Sequence, residues 1–268
     1  KSVEEKINRL ALPLYANTHT EDSATGAQTT HLAEQAKNYI KSQLGANDRC
    51  KLVFCGSGST AAVRRIQDIL GLTVSGNHKE LILSQMKPQD RPLVLVGPYE
   101  HHSNDVSWRE TLAEVIEIPL CKQGNIDLEA LVEVLNDPQY AERPKIGSFS
   151  AASNVTGLLT DTRTIARLLH SHGAYAFFDF AASAPYVKID MKPGQPDGYD
   201  AIFLSPHKFI GGPGTPGLLC FGEHLYRLNT PTTAGGGTVR FVNKNRQLYL
   251  EDIESREDAG TPAILGKI

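Results

Sequence analysis

Short apolar, β-branched runs alternate along the chain with stretches whose apolar residues recur every three or four positions. The short runs are Lys51–Cys55, Leu93–Val96, Val115–Pro119, Ile146–Phe149, Ala174–Asp179, Ala201–Leu204 and Gly217–Phe221. Apolar at consecutive positions, they predict strands buried on both faces. Helical spacing marks His31–Leu44, Thr60–Leu70, Leu128–Leu135 and Thr162–His172. Asp127 and Asp161 stand at N-cap positions, and Gly173 follows the last stretch as a C-cap. The alternation predicts βαβ units: an α/β fold with a mostly parallel sheet of about seven strands and helices on both faces.

One strand should break that rule. Between Leu204 and Gly217 the chain reads SPHKFIGGPGTP, too short and too rich in Gly and Pro for a crossover helix. A parallel return needs about a dozen residues or more, so Gly217–Phe221 should run antiparallel to its predecessor. Beyond it come the glycine-rich AGGGT at 234–238 and a charged stretch that reads as an excursion or arm.

Composition removes several classes of function. The 268 residues are enough for one or two domains, and the net charge of −3 gives no bulk attraction for nucleic acid or anionic lipid. No apolar run approaches the roughly 20 residues of a membrane span, and KSVEEKINRL has no signal-peptide core. Cys50, Cys55, Cys121 and Cys220 form no CxxC pair and no metal-ligand spacing, which predicts reduced thiols, a cytoplasmic setting and no metal. The chain opens without Met, which suggests a processed or partial sequence.

In open α/β sheets, ligands bind beyond the carboxyl ends of the strands. After Lys51–Cys55 comes GSGST, running straight into a helix: Ser59 and Thr60 there can cap the helix or hold a phosphate. It is no P-loop, because GxxxxGK[ST] is absent. His101 follows the second strand, and Asn154 lies in the small-residue loop after Ile146–Phe149. Asp179 ends an apolar strand, where an acid must be solvated, paired or shifted in pKa. Ser205, His207 and Lys208 follow Ala201–Leu204. A surface reading is available for each residue alone. Together they set a hydroxyl-rich cup, a histidine, an amide, a carboxylate and an amine at one sheet edge, a constellation that suits pyridoxal 5'-phosphate.

The segments EHHSN, SNVTG, DFAAS, SPHKF and AGTP, in that order, resemble the class V aminotransferase superfamily of fold type I pyridoxal-phosphate enzymes. The nearest branch is the cysteine desulfurase and selenocysteine lyase group. The resemblance implies that Lys208 is the Schiff-base lysine, Asp179 pairs with the pyridine nitrogen, and His101 stacks on the ring. It implies Asn154 at the phenolic oxygen, and Ser59, Thr60, Ser205 and His207 at the phosphate. It further implies a homodimer in which Thr238, with Arg240 as a further candidate, reaches the neighbour's phosphate. Thr18 or His19 is placed near the substrate. Residues 1–26 would be an arm, 27–230 the large cofactor domain, and 231–268 an inter-subunit segment leading into a small domain that is missing here.

Two departures stand out. Ala182 occupies the position where desulfurases carry a Gln toward the phenolic oxygen, leaving Ser183 or nothing to replace it. The sequence ends before the region that would hold the substrate-carboxylate arginine and the nucleophilic cysteine. The implied function is a pyridoxal-phosphate enzyme acting on an L-amino acid, nearest a desulfurase or lyase, with a sulfur-acceptor protein as partner if it is a desulfurase. Aminotransferase, epimerase and kynureninase-like lyase chemistry, or a non-catalytic relative, are the alternatives. A nucleotide or sugar-phosphate protein ranks last, since GxGxxG is not matched.

Overall fold

The computed structural model describes residues 2–18, 20 and 22–268. Its main strands are β1 (Cys50–Cys55), β2 (Leu93–Val96), β3 (Glu114–Glu117), β4 (Lys145–Ser150), β5 (Tyr175–Asp179), β6 (Ala201–Leu204) and β7 (Gly217–Gly222). They form one seven-stranded sheet in the order β1-β7-β6-β5-β4-β2-β3. β7 runs antiparallel to both β1 and β6, as the short connection demands, and the remaining pairs are parallel.

Alternate strand residues feed two apolar layers. Leu93, Leu95, Phe178, Ile202, Leu204, Leu218 and Cys220 join Leu131, Ile165 and Leu169 of the helices Leu128–Asn136 and Thr162–Ser171. Val94, Val96, Phe177, Phe203, Leu219 and Phe221 face Ala62, Val63 and Ile66 of the helix Gly58–Ile69, with Trp108 beside them. The sheet is thus covered on both sides, which is why its strands read as continuous apolar runs. Asp127 and Asp161 act as N-caps: Asp127 accepts from the N–H groups of Glu129 and Ala130, and Asp161 from that of Thr164. Gly173 adopts φ of 68°, closing the Thr162–Ser171 helix.

Several elements depart from expectation. The helix expected from His31 begins within the stretch expected to be an arm, at Ala24, where Ser23 accepts from Gly26 N. A helix at Gly76–Gln85 was not anticipated; it buries no side chain, so no apolar stripe marks it. The excursion after β7 contains a hairpin of β8 (Val239–Val242) and β9 (Gln247–Tyr249). Among the described residues no helix is long and apolar enough to cross a membrane. All four cysteines are free, with Cys50, Cys55 and Cys220 buried.

Candidate active site at the carboxyl edge of the sheet

A cavity of about 260 Å³ opens at the carboxyl ends of the strands. Ser59, Thr60, His101, Asn154, Asp179, Ser205, His207 and Lys208 all line it, as do Ser57, Gly58, Ser150 and Ala182. Residues far apart in sequence are gathered because each follows the end of a neighbouring strand.

The turn between β1 and the helix Gly58–Ile69 forms one wall. Gly58 adopts φ of 56°, and a Cβ there would lie 2.7 Å from His207 Cε1 and 3.0 Å from Ser205 Oγ. Only glycine allows this approach and this backbone conformation. Ser59 N donates to Ser205 Oγ at 2.8 Å, tying the turn to the segment that carries Lys208. The helix that starts here runs for 12 residues, so its positive end faces the cavity.

The cavity also holds a buried acid. Asp179 ends β5, and Ala181 N donates to its Oδ1 at 2.9 Å. Burial pushes the Asp179 carboxyl up to about 6, although Ala181 N–H, the Lys208 charge and Ser59 all pull it down. The Lys208 side-chain nitrogen makes no hydrogen bond or ion pair among the described residues. His101 lies at the mouth, its basicity lowered by burial first and then by Lys208 and His102.

Sequence reasoning missed Glu100. This partly buried acid accepts from Gly97 N at 3.1 Å and Ser150 N at 2.9 Å on one oxygen. Its other oxygen accepts from Asn104 Nδ2 at 2.8 Å and Ser150 Oγ at 2.6 Å. It thereby locks the loop carrying His101 onto the end of β4. Burial pushes its carboxyl up to about 7 against those hydrogen bonds, and Asp179 adds to the rise. Its place in EHHSN was the only signal available.

Other expected residues lie elsewhere. Thr238 is fully buried outside this cavity, with its hydroxyl donating to Gly235 O at 2.7 Å. Arg240 is exposed on β8, 3.6 Å from Glu251. Thr18 lines a separate cavity with Lys37 and Glu254, and His19 lies outside the described residues. Ser183 does not line the site, and its buried Oγ has no hydrogen-bond partner among the described residues.

The donors fit pyridoxal phosphate: a free amine, a buried acid suited to a cationic nitrogen, and a hydroxyl-rich helix start with a glycine-only cradle. The sheet, its single antiparallel strand and this edge define the fold type I architecture. The chain belongs to the class V aminotransferase family, whose family model matches residues 1–268.

Among its relatives, a probable cysteine desulfurase of Halalkalibacterium halodurans is 29% identical over 94% of this chain and 57% of its own length. One from Halobacterium salinarum is 29% identical over 86% of this chain and 51% of its own. A solved cysteine desulfurase from Thermococcus onnurineus superposes with a TM-score of 0.80 at 22% identity, over 99% of this chain and 61% of that one. A cysteine desulfurase from Escherichia coli gives 0.71 at 24% identity, again over 99% and 61%. The chain spans little more than half the length of the curated relatives it matches.

Proposed function

We propose that this chain binds pyridoxal phosphate and acts on an L-amino acid in the manner of the cysteine desulfurases. One observation carries the reading: the Lys208 amine, the buried Asp179 carboxyl and the Ser59–Thr60 turn meet in a single cavity. Ser59, Thr60, Ser205 and His207, with the helix start behind them, would hold the phosphate. Asp179 would pair with the protonated pyridine nitrogen, a cation that offsets the cost of burying its charge. His101 would stack on the ring and Asn154 would face the phenolic oxygen. Lys208 would anchor the cofactor and, in turnover, hold or deliver the proton at the substrate α-carbon. When bound, the cofactor supplies an electron-withdrawing ring that takes up the charge left at that carbon.

The same reading includes a homodimer in which Thr238 serves the partner's phosphate, and a sulfur-acceptor protein as partner. Four free thiols accord with a reducing, cytoplasmic setting.

The test is a visible spectrum of the purified protein with added pyridoxal phosphate, followed by borohydride reduction and peptide mapping. Reduced cofactor on Lys208, absent from Lys208→Ala, is the expected result. A protein that takes up no reducible cofactor, or retains it in Lys208→Ala, overturns the reading. Conversion of L-cysteine to L-alanine with release of sulfide in a thiol reductant would select desulfuration; transfer of the amino group to a keto acid would select transamination.

A further inference from the structure

Three side chains at the cavity mouth form a chain of contacts that the proposed chemistry leaves unused. Thr60 Oγ1 lies 2.5 Å from Ser103 Oγ, and Ser103 Oγ lies 3.0 Å from His101 Nδ1. The backbone N–H of Ser103 also donates to His101 Nδ1, at 3.1 Å. Thr60 belongs to the helix start after β1 and His101 to the loop after β2, so Ser103 joins two walls of the site.

We propose that Ser103 is a positioning residue that links the phosphate turn to the His101 imidazole, so that phosphate on Thr60 resets the hydrogen bonding of the ring. The inference deepens the pyridoxal-phosphate reading and rests on it for the role of the turn.

Proton counting supplies the argument. A backbone N–H can only donate, so Nδ1 presents its lone pair and the neutral ring carries its proton on Nε2. The Ser103 hydroxyl beside that lone pair donates to it, and its own oxygen then accepts from Thr60 Oγ1. In this order the single Thr60 proton points away from the cavity.

A phosphate oxygen only accepts, and a charged acceptor draws the shorter and stronger bond, so Thr60 turns its proton to the phosphate. Thr60 Oγ1 is then an acceptor toward Ser103, whose proton swings from Nδ1 to Thr60. Nδ1 keeps the backbone N–H alone. The ring stays in one tautomer and one plane but loses a donor, which makes Nδ1 more basic. Lys208 and His102 are the charged or titratable groups that bear on His101, and neither takes part in the exchange.

The test uses inorganic phosphate as the probe and the imidazole nitrogen resonances of His101 as the readout, in the cofactor-free protein at fixed pH. In wild type, Nε2 carries the proton, and Nδ1 shifts saturably with the Ser59 and Thr60 amide signals as phosphate is added. Ser103→Ala should shift Nδ1 before any phosphate is present and remove most of the further response. Ser103→Thr should restore it. Thr60→Val should leave Nδ1 in its phosphate-free state throughout, which guards against a folding defect in the Ser103 variants. Saturable amide shifts with an unmoved Nδ1, an equal Nδ1 response in Ser103→Ala, or a proton on Nδ1 would each overturn this proposal alone. Absence of any saturable shift at Ser59 and Thr60 would overturn the phosphate turn as well.

Discussion

Arg65 Nη1 and the solvent-free carboxylate of Glu257 lie 2.7 Å apart, joining residues 192 positions distant in sequence. Arg65 sits on the helix whose first turn lines the cavity, and Glu257 follows the β8–β9 hairpin. The same carboxylate accepts from Tyr226 OH at 2.6 Å and Thr232 N at 3.0 Å. The C-terminal segment is therefore fastened to the element that would hold the phosphate. Glu257→Ala leaves a partly buried guanidinium with only Thr232 Oγ1 and a backbone carbonyl in place of its carboxylate, and should cost about 3–5 kcal/mol in denaturant unfolding. A loss below about 1 kcal/mol, the range of a surface pair, would show the fastening to be dispensable.

Asp179 makes the cofactor-free protein less stable at neutral pH than in acid. Its folded pKa of about 6 exceeds the ordinary value of 3.8, so the folded state holds the proton more tightly than the unfolded chain. Stability from this group is complete below 3.8 and is lost as pH rises toward about 6. Asp179→Asn should remove that slope and stabilise the cofactor-free chain at pH 7 by up to about 3 kcal/mol, while weakening cofactor retention. Urea unfolding between pH 4 and 8 is the measurement; an unchanged slope in the variant would count against a charged, buried Asp179.

At the other end of the sheet, His170 faces two acceptors: Pro196 O at 2.9 Å from Nδ1, and Asp200 Oδ2 at 2.8 Å from Nε2. Both ring nitrogens must donate, so the hydrogen bond to Asp200 raises the His170 pKa despite its burial. Burial would raise Asp200, but His170, His224 and Ala176 N–H outweigh it and hold the carboxyl near 2. The histidine's contribution is complete below 6.5 and fades as pH rises through its raised value. That of the aspartate is complete above 3.8 and fades as pH falls toward about 2. His170→Gln should flatten the alkaline loss of stability and shrink the acid limb, which His224 and Ala176 N–H would still support. Parallel alkaline limbs for variant and wild type would refute this assignment.

Thiol labelling should follow exposure and not sequence context. Cys121 is the only cysteine of the four that is not buried, and alkylation of the native protein should map to it. Burial pushes the Cys55 thiol up to about 12. Cys50 is held near 7 by the neighbouring Cys220, yet has no solvent-exposed surface. Labelling of Cys50, Cys55 or Cys220 as fast as Cys121, read by peptide mass mapping, would mean that the sheet opens in the native state.

Much of this architecture was legible because burial on both faces leaves an unbroken apolar signature. β2 and β6 fall on the residues expected, and the antiparallel return of β7 followed from the length and composition of one connection. The residues lining the cavity were legible for a related reason: each follows a strand end, and strand ends are easy to find. Contacts that depend on side chains meeting across the fold were not. Glu100 looks in sequence like any loop acid, and its burial depends on four donors from three separate residues. Ser103 reads as a loop serine until Thr60 is brought beside it. The Gly76–Gln85 helix escaped notice for the opposite reason, since it packs nothing into the core.

The antiparallel strand also fixes a dimension. β7 lies between β1 and β6, so the strands that lead into the phosphate turn and into the Lys208 segment are two strand spacings, about 10 Å, apart, and the loops beyond them close over its end until Ser59 N meets Ser205 Oγ. Gly217 N donates to Gly56 O at 3.1 Å, and a Cβ on Gly217 would come within 2.0 Å of Gly58 O, so the spacer fits flush against the turn. Strand β7 works as a gauge block: the hydrogen-bond lattice of the sheet sets how far apart β1 and β6 release the chain, and so where the phosphate turn and the Lys208 segment begin their approach.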